Sequence, residues 1–430
     1  MKGKDERQRP TLELLQMRKD LVFVLLLLAG ELIYWGVMVC TNSQYRNSYF
    51  QSDNMDAFMD YFNMLKILET PHHAIYGTKV IYPAFCFCLW KIAFEMIPYS
   101  YRSMSALELR NYQPAVLGFI LCLLAVVIVL WELLKKNYKG DGVKKCFFAL
   151  SIMFSGPILF AIERGNIILL ALVFLLIFEL WYNSENKCLR YLSYVALAFS
   201  ASIKIYPALF GVLIISRKRW KEAAGAIVIG MLSFLVPFLY LGGAQGVISL
   251  VENIVFASPL IADRGMGFNF SFNNLMKIVQ AFSGTALINN NIILKCIPAC
   301  VTIFIFITNR DEWKKMFAIV LFSIWIPEFS YTYTLIFFIL PLISYLNADV
   351  GKKITTIDLI YAALYIIIFL PTATTTFPEM DIQGAVYPLS GSVMIVNGAI
   401  VAFSLLLIID GIFALIRKNR NGLLYCNQIE

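Results

Sequence analysis

Three carboxylates, Asp53, Asp56 and Asp60, crowd the segment Gln51-Ser-Asp-Asn-Met-Asp-Ala-Phe-Met-Asp-Tyr-Phe-Asn63, just beyond the end of the first long apolar run. A carboxylate in that place can take a proton from an attacking hydroxyl. Asp56 and Asp60 are four apart and share a face if the segment is helical, a spacing that also suits a solvated acidic helix start. The next candidates are cations. Arg164 stands in Glu163-Arg-Gly-Asn166, and Lys204 in Ser202-Ile-Lys-Ile-Tyr-Pro207. Arg as a planar fork and Lys as a point charge both suit phosphate, and the helix beginning after Asn166 adds a positive dipole end. The competing readings are a Glu163–Arg164 pair and a Lys204 that merely reaches toward the interface. A third cation, Arg264, lies in Asp263-Arg-Gly-Met-Gly-Phe-Asn-Phe-Ser-Phe-Asn-Asn274, whose amides and aromatics suit sugar hydroxyls and ring faces. Asn269-Phe-Ser271 within it also fits the glycosylation tripeptide. Glu328, in Trp325-Ile-Pro-Glu-Phe-Ser-Tyr-Thr-Tyr333, reads either as an acceptor for a substrate hydroxyl or as a solvated turn carboxylate. Glu31, inside the first apolar run, reads as a hydrogen-bonding partner for a neighbouring helix, and His72 and His73 read as solvated loop residues.

The elements that must position these groups are membrane helices. The chain has 430 residues, 59% hydrophobic and 15% charged, and a mean hydropathy of +0.71. That composition excludes soluble globular, disordered and fibrous classes. Apolar runs recur from Leu21 to Ile416, predicting one polytopic all-α membrane domain. The run Leu21 to Cys40 follows a basic tail and lacks a small-residue cleavage site, as a retained signal anchor does. The net charge of +8 comes from basic residues clustered between apolar runs, the positive-inside pattern, and this argues against nucleic acid as a partner.

Charge also sets the topology. If Ile81 to Ile97 spans, Lys135, Lys136, Lys139, Lys144 and Lys145 fall outside; if it lies on the outer surface, most of the 36 Lys and Arg fall inside. Tyr82-Pro83 to Pro98 then reads as an interfacial helix. The predicted spans are 21–40, 113–134, 146–162, 166–182, 222–241, 291–308, 355–371 and 392–416. Two short-helix hairpins, 190–216 and 316–347, turn at Lys204 with Pro207 and at Pro327 with Glu328 and bring the count to about twelve. Residues 1–20 form a cytosolic basic tail, 21–416 the membrane domain and 417–430 a second cytosolic tail. Outer loops cover 41–112, 242–290 and 372–391, lengths at which loops usually carry function. No internal repeat is evident. The nine cysteines lie mostly in apolar runs without metal-site spacing or a disulfide pattern. No glycine-rich phosphate loop is found, which argues against ATP or a nucleotide sugar as direct donor.

The order of the Asp56-to-Tyr61 segment, Tyr82-Pro83, Arg164-Gly165-Asn166, Lys204-Ile-Tyr-Pro207, Asn269-Phe-Ser271 and Pro327-Glu-Phe-Ser-Tyr331 resembles glycosyltransferase family 87, a group of polytopic GT-C enzymes. Where the family commonly has Tyr-Pro-Pro, Gly-Gln-x-Asn and Ser-Trp-Asp-His-like elements, this chain has Tyr82-Pro83-Ala84, Arg164-Gly165-Asn166-Ile167 and Phe329-Ser330-Tyr331-Thr332. The resemblance implies a polyprenyl-phosphate sugar as donor and a hydroxyl of a glycolipid or glycan as acceptor, mannosyltransferase-like, at the outer or lumenal face of the bilayer, the plasma membrane being the expected one. It implies Asp56 as catalytic base, with Asp53 and Asp60 as alternatives, and Arg164, Lys204 and Arg264 as ligands of the donor phosphate. Substrate contacts are expected from Asp60, Tyr61, Tyr82, Asn166, Tyr206, Asn269, Glu328 and Tyr331. This chemistry requires no cofactor, and metal dependence stays open. A flippase for lipid-linked sugars, or a lipid-linked oligosaccharide polymerase or ligase, are the other functions considered.

Overall fold

Apolar segments in lipid must bond their own backbone, and helices follow wherever proline and polar breaks allow. The computed structural model describes residues 18–41, 57–264, 269–283, 291–348, 352–371, 380–382, 385–387 and 391–426. The first run is α1 (Lys19–Cys40). The segment between α1 and the next long helix holds α2 (Met59–Ile67), α3 (Ala84–Glu95) and α4 (Ala106–Asn111), the last opened by a capping box of Ser105 and Glu108. Next come α5 (Gln113–Asn137), α6 (Gly142–Met153), α7 (Gly156–Arg164), α8 (Ile168–Trp181) and α9 (Lys187–Ile203). A 3-10 turn, Tyr206–Gly211, leads to α10 (Val212–Ser216) and α11 (Trp220–Leu235). Then follow α12 (Gly243–Arg264), α13 (Phe272–Ser283), α14 (Asn291–Thr308) and α15 (Glu312–Trp325). After the 3-10 segment Thr332–Phe338 the chain continues as α16 (Ile339–Ala348), α17 (Thr356–Phe369) and α18 (Gly391–Cys426). A small antiparallel ladder of β1 (Met380–Ile382) and β2 (Ala385–Tyr387) precedes α18.

Among the described residues, four helical stretches are long and apolar enough to cross a bilayer alone: Lys19–Cys40, Gln113–Asn137, Trp220–Leu239 and Val393–Arg417. A fifth crossing results if α6 and α7 count as one bent span. The expected twelve spans are not reached by length and composition, because the remaining apolar helices have only 10–17 residues. The span expected over 146–162 is divided between two helices, α6 and α7, which meet at a 55° bend. Pro157 in the first turn of α7 has no N–H to continue the ladder, and the Ser155 hydroxyl turns back to the Ile152 carbonyl at 2.6 Å. The two hairpins are each divided where the sequence is polar, α9 ending before Lys204 and α15 before Pro327. With 12 residues, α3 is about 18 Å long, well short of a hydrocarbon core of about 30 Å.

Apolar side chains left exposed tell the same story. Of the residues in α11 only Ala223 is buried, while Ile227, Met231 and Leu232 face outward, and α5 likewise presents Leu117, Leu121 and Ile128. Such apolar faces are stable against lipid and not against water. The chain is an integral membrane protein. Its main core joins α15, Thr332–Phe338, α16, α17 and α18 to α6, α7 and α8. A second apolar cluster, around Phe62, Tyr76, Phe87, Trp90 and Phe119, is built largely from the segment carrying α2, α3 and α4. The candidate site sits where these two clusters meet.

Candidate active site

Helix α7 ends on Gly165, whose φ of 63° is the left-handed form that glycine adopts without strain, and the Asn166 N–H returns to the Ala161 carbonyl at 2.9 Å. Asn166 then caps the next helix, its Oδ1 accepting from the Ile168 N–H at 3.0 Å. The side-chain amide left over does the chemistry-relevant work. It donates to Asp60 Oδ2 at 2.7 Å and to the Tyr82 hydroxyl at 3.2 Å. Arg164 Nη2 donates to the other Asp60 oxygen at 2.8 Å, with side-chain exposures of only 15% and 17%. Arg164 therefore pairs with Asp60 across the fold. Both oxygens of Asp60 are engaged, which fixes the carboxylate in one orientation.

The segment carrying α2, α3 and α4 is tied to this turn from several directions. The Phe58 N–H donates to the Glu163 carbonyl at 2.7 Å, and Phe58 itself takes a left-handed φ of 61° at the start of α2. Arg110 on α4 holds the Ala57 carbonyl at 3.3 Å. Tyr61 packs its ring against Phe62 and Phe119 at centroid distances of 5.1 and 4.7 Å. Burial pushes its phenol well up, so the Tyr61 ring belongs to the apolar wall behind Asp60. The Tyr82 ring meets Trp90 of α3 edge to face at 5.1 Å, and the Tyr82 carbonyl accepts from Tyr76 at 3.1 Å. Burial, and after it the Asp60 charge, raises the Tyr82 phenol well above its usual range. Tyr82 stays a hydroxyl at all working pH values.

Lys204 terminates α9, and its ammonium lies between two rings, 4.2 Å from the Tyr82 centroid and 5.4 Å from that of Tyr333. It makes no ion pair with a described carboxylate, although the Asp60 charge acts on it. Tyr333 feels Asp60, Tyr82, Tyr206 and Tyr331, which places these five groups in one neighbourhood. Residues flanking Lys204, including Ala201 and Ile205, line an open groove of about 510 Å³ between α9, Tyr206–Ser216 and α11. Ala198, Ala208, Gly211, Ala226 and Gly230 keep it hollow, because small side chains leave space between the helices.

Residues 269–274 lie beside the turn at Pro327. Asn269 is 1% exposed, and both polar atoms of its amide are engaged. Nδ2 donates to the Glu328 carbonyl at 3.1 Å, while Oδ1 accepts from Ser271 N–H at 3.0 Å and Ser330 N–H at 2.9 Å. Asn269 is thus enclosed, which is incompatible with a glycan on the folded chain. The Glu328 carboxylate meets Lys295 at 3.0 Å and Asn273 at 2.8 Å. Tyr331 stacks edge to face on Phe329 and Tyr333. Asp53 and Asp56 lie outside the described residues, and Arg264 closes α12 with its side chain likewise outside them.

Residues 98–322 match the model of glycosyltransferase family 87, over half of the chain. The chain belongs to glycosyltransferase family 87. Comparison with curated proteins and with solved structures gave no match. The matched region of this membrane glycosyltransferase carries Arg164, Asn166, Lys204 and Asn269. Asp60, Tyr82 and Tyr333 come from the flanking chain and complete the site by packing onto it. Tyr333 is the residue that sequence reasoning missed. Its signal was there, two places after Tyr331 in an aromatic-rich hairpin tip. His72, read as solvated, instead meets the Tyr240 hydroxyl at 2.5 Å beyond α11. Glu31 is 4% exposed, with Oε1 lacking a hydrogen-bond partner among the described residues.

Proposed function

We propose that this glycosyltransferase moves a sugar from a polyprenyl-phosphate donor to a hydroxyl of a glycolipid or glycan acceptor at the outer or lumenal face. The acceptor oxygen bonds to the anomeric carbon as the bond from that carbon to the phosphate oxygen breaks, with inversion. The acceptor proton passes to the Asp56 carboxylate, and the electron pair leaves with the polyprenyl phosphate. Asp56 stands two residues before Phe58, whose N–H is fixed to the turn carrying Arg164 and Asn166. Asp60, gripped from both sides, orients that turn and the Tyr82 hydroxyl against the sugar. Lys204 and Arg164 stabilise the departing phosphate, and short helix pairs complete the membrane crossings that single long helices do not supply.

The observation that carries this reading is Lys204, an ammonium held by two aromatic faces without a carboxylate partner among the described residues, whose chain neighbours Ala201 and Ile205 line an apolar groove. An anionic head on an apolar chain has the complementary form. The test is transfer from labelled polyprenyl-phosphate sugars to lipid and glycan acceptors by detergent-purified protein. Wild type transfers, Asp56→Asn does not, and Lys204→Gln raises the donor KM roughly ten- to a hundredfold, the loss of one charge-assisted contact of about 1.5–3 kcal/mol. Folded wild type that transfers nothing from any such donor, yet moves lipid-linked sugar across liposomes, rejects the transferase reading.

A further inference from the structure

Asn269 occupies a position through which the second outer loop grips the tip of the second hairpin. Besides its three side-chain bonds, its neighbour Phe270 donates from its N–H to the Ser330 carbonyl at 2.8 Å, and Asn269 and Tyr331 form a backbone bridge. The Ser271 hydroxyl adds a bond to the Glu328 carbonyl at 3.0 Å and accepts from the Asn274 N–H at 3.2 Å, so the same residue caps α13. The grip passes directly into the site. The Tyr331 carbonyl accepts from the Thr334 N–H at 2.8 Å and from its hydroxyl at 2.6 Å, fixing the first turn of Thr332–Phe338. That turn carries Tyr333, whose ring stacks on Phe160 at 6.0 Å and faces the Lys204 ammonium.

We propose that Asn269 is a positioning residue: it clasps the Glu328–Tyr331 turn and so holds Tyr333 as one wall of the Lys204 anion site. This rests on the reading that Lys204 receives the donor phosphate. Asn suits the role because its side-chain amide offers a donor for the Glu328 carbonyl and an acceptor for two N–H groups on separate atoms. An enclosed polar side chain bonded to the backbone of its own loop and of that turn acts on the donor through the turn.

The test uses full-length protein in detergent and farnesyl monophosphate as a sugar-free probe, with probe affinity and donor kinetics read side by side. Asn269→Ala weakens probe binding by roughly five- to tenfold and raises the donor KM by the same factor, leaving the acceptor KM unchanged. Tyr333→Leu reproduces that shift, and the double variant is no worse than the worse single one, because both act on one wall. Asn269→Asp keeps the acceptor for Ser271 and Ser330, folds where the alanine variant does not, and binds the probe better than it. A lower melting temperature with unchanged probe affinity in Asn269→Ala, or additive losses in the double variant, overturns the clasp alone. Wild type that ignores the probe overturns the donor reading, and the clasp with it.

Discussion

Gly165→Ala is the most direct test of how the site is assembled. Gly165 has φ +63°, and a Cβ built on it lies 3.2 Å from both Cα and the carbonyl oxygen of Phe58 and 3.2 Å from the tip of the Phe119 ring. Two costs follow. A left-handed non-glycine residue costs about 1–2 kcal/mol. Crowding against backbone, which cannot rotate away as a side chain does, adds about 1 kcal/mol or more. The sum is about 2–4 kcal/mol, and its relief requires the 163–166 turn to part from Phe58 by a few tenths of an ångström. That parting strains the 2.7 Å bond from Phe58 to Glu163 and moves Arg164 and Asn166 relative to Asp60. A displacement of this kind in a positioned site costs one to two orders of magnitude in rate. The assay is chemical denaturation of detergent-purified protein together with donor turnover. Gly165→Asn separates the terms, since Asn tolerates the left-handed form but brings the same Cβ. Gly118→Ala serves as the control, because a Cβ there meets nothing within 4 Å. Gly165→Ala with wild-type stability and turnover, or an equal loss in Gly118→Ala, refutes the reasoning.

Asp60→Asn sets an amide NH2 against that of Asn166; either that bond is lost or Asn166 turns and uncaps α8, and stability falls by about 2–3 kcal/mol in the same denaturation assay. Burial, and then the Lys91 charge, holds the His72 pKa below its usual value, so the folded chain binds fewer protons there than the unfolded one. Stability from this group is therefore present above the unfolded pKa of about 6.5 and is lost as pH falls through the folded value. Melting curves from pH 7 down to pH 5 show the decline, and His72→Phe flattens it.

Much of this arrangement was legible in the sequence because it is written locally. Apolar runs gave the long helices, Pro207 and Pro327 marked the hairpin tips, and a polar break between two apolar runs marked Arg164 and Asn166 as unusual. The partners of those residues were not legible. The pairing of Arg164 with Asp60 depends on a left-handed pair, Phe58 and Gly165, meeting from distant parts of the chain. Asn269 and Glu328 carried the right chemistry for sugar contact, yet the fold spends Asn269 on backbone and the Glu328 carboxylate on Lys295 and Asn273. The 55° bend between α6 and α7 was hidden because hydropathy averages across Ser155-Gly-Pro157.

The hold on Lys204 bears on how quickly such a site can be emptied. A cation balanced by a carboxylate must exchange one anion for another each time a phosphate arrives, and again when it departs. Two phenol faces, each worth about 0.5–2 kcal/mol to a cation, remain in place whether or not an anion is present. At Lys204, in contrast to Arg164 with its Asp60 partner, no ion pair with a described carboxylate has to open for the donor or reform to expel the spent carrier lipid. Product release is then governed by the exit of the apolar chain along its groove, so that turnover responds more to bilayer composition than to ionic strength.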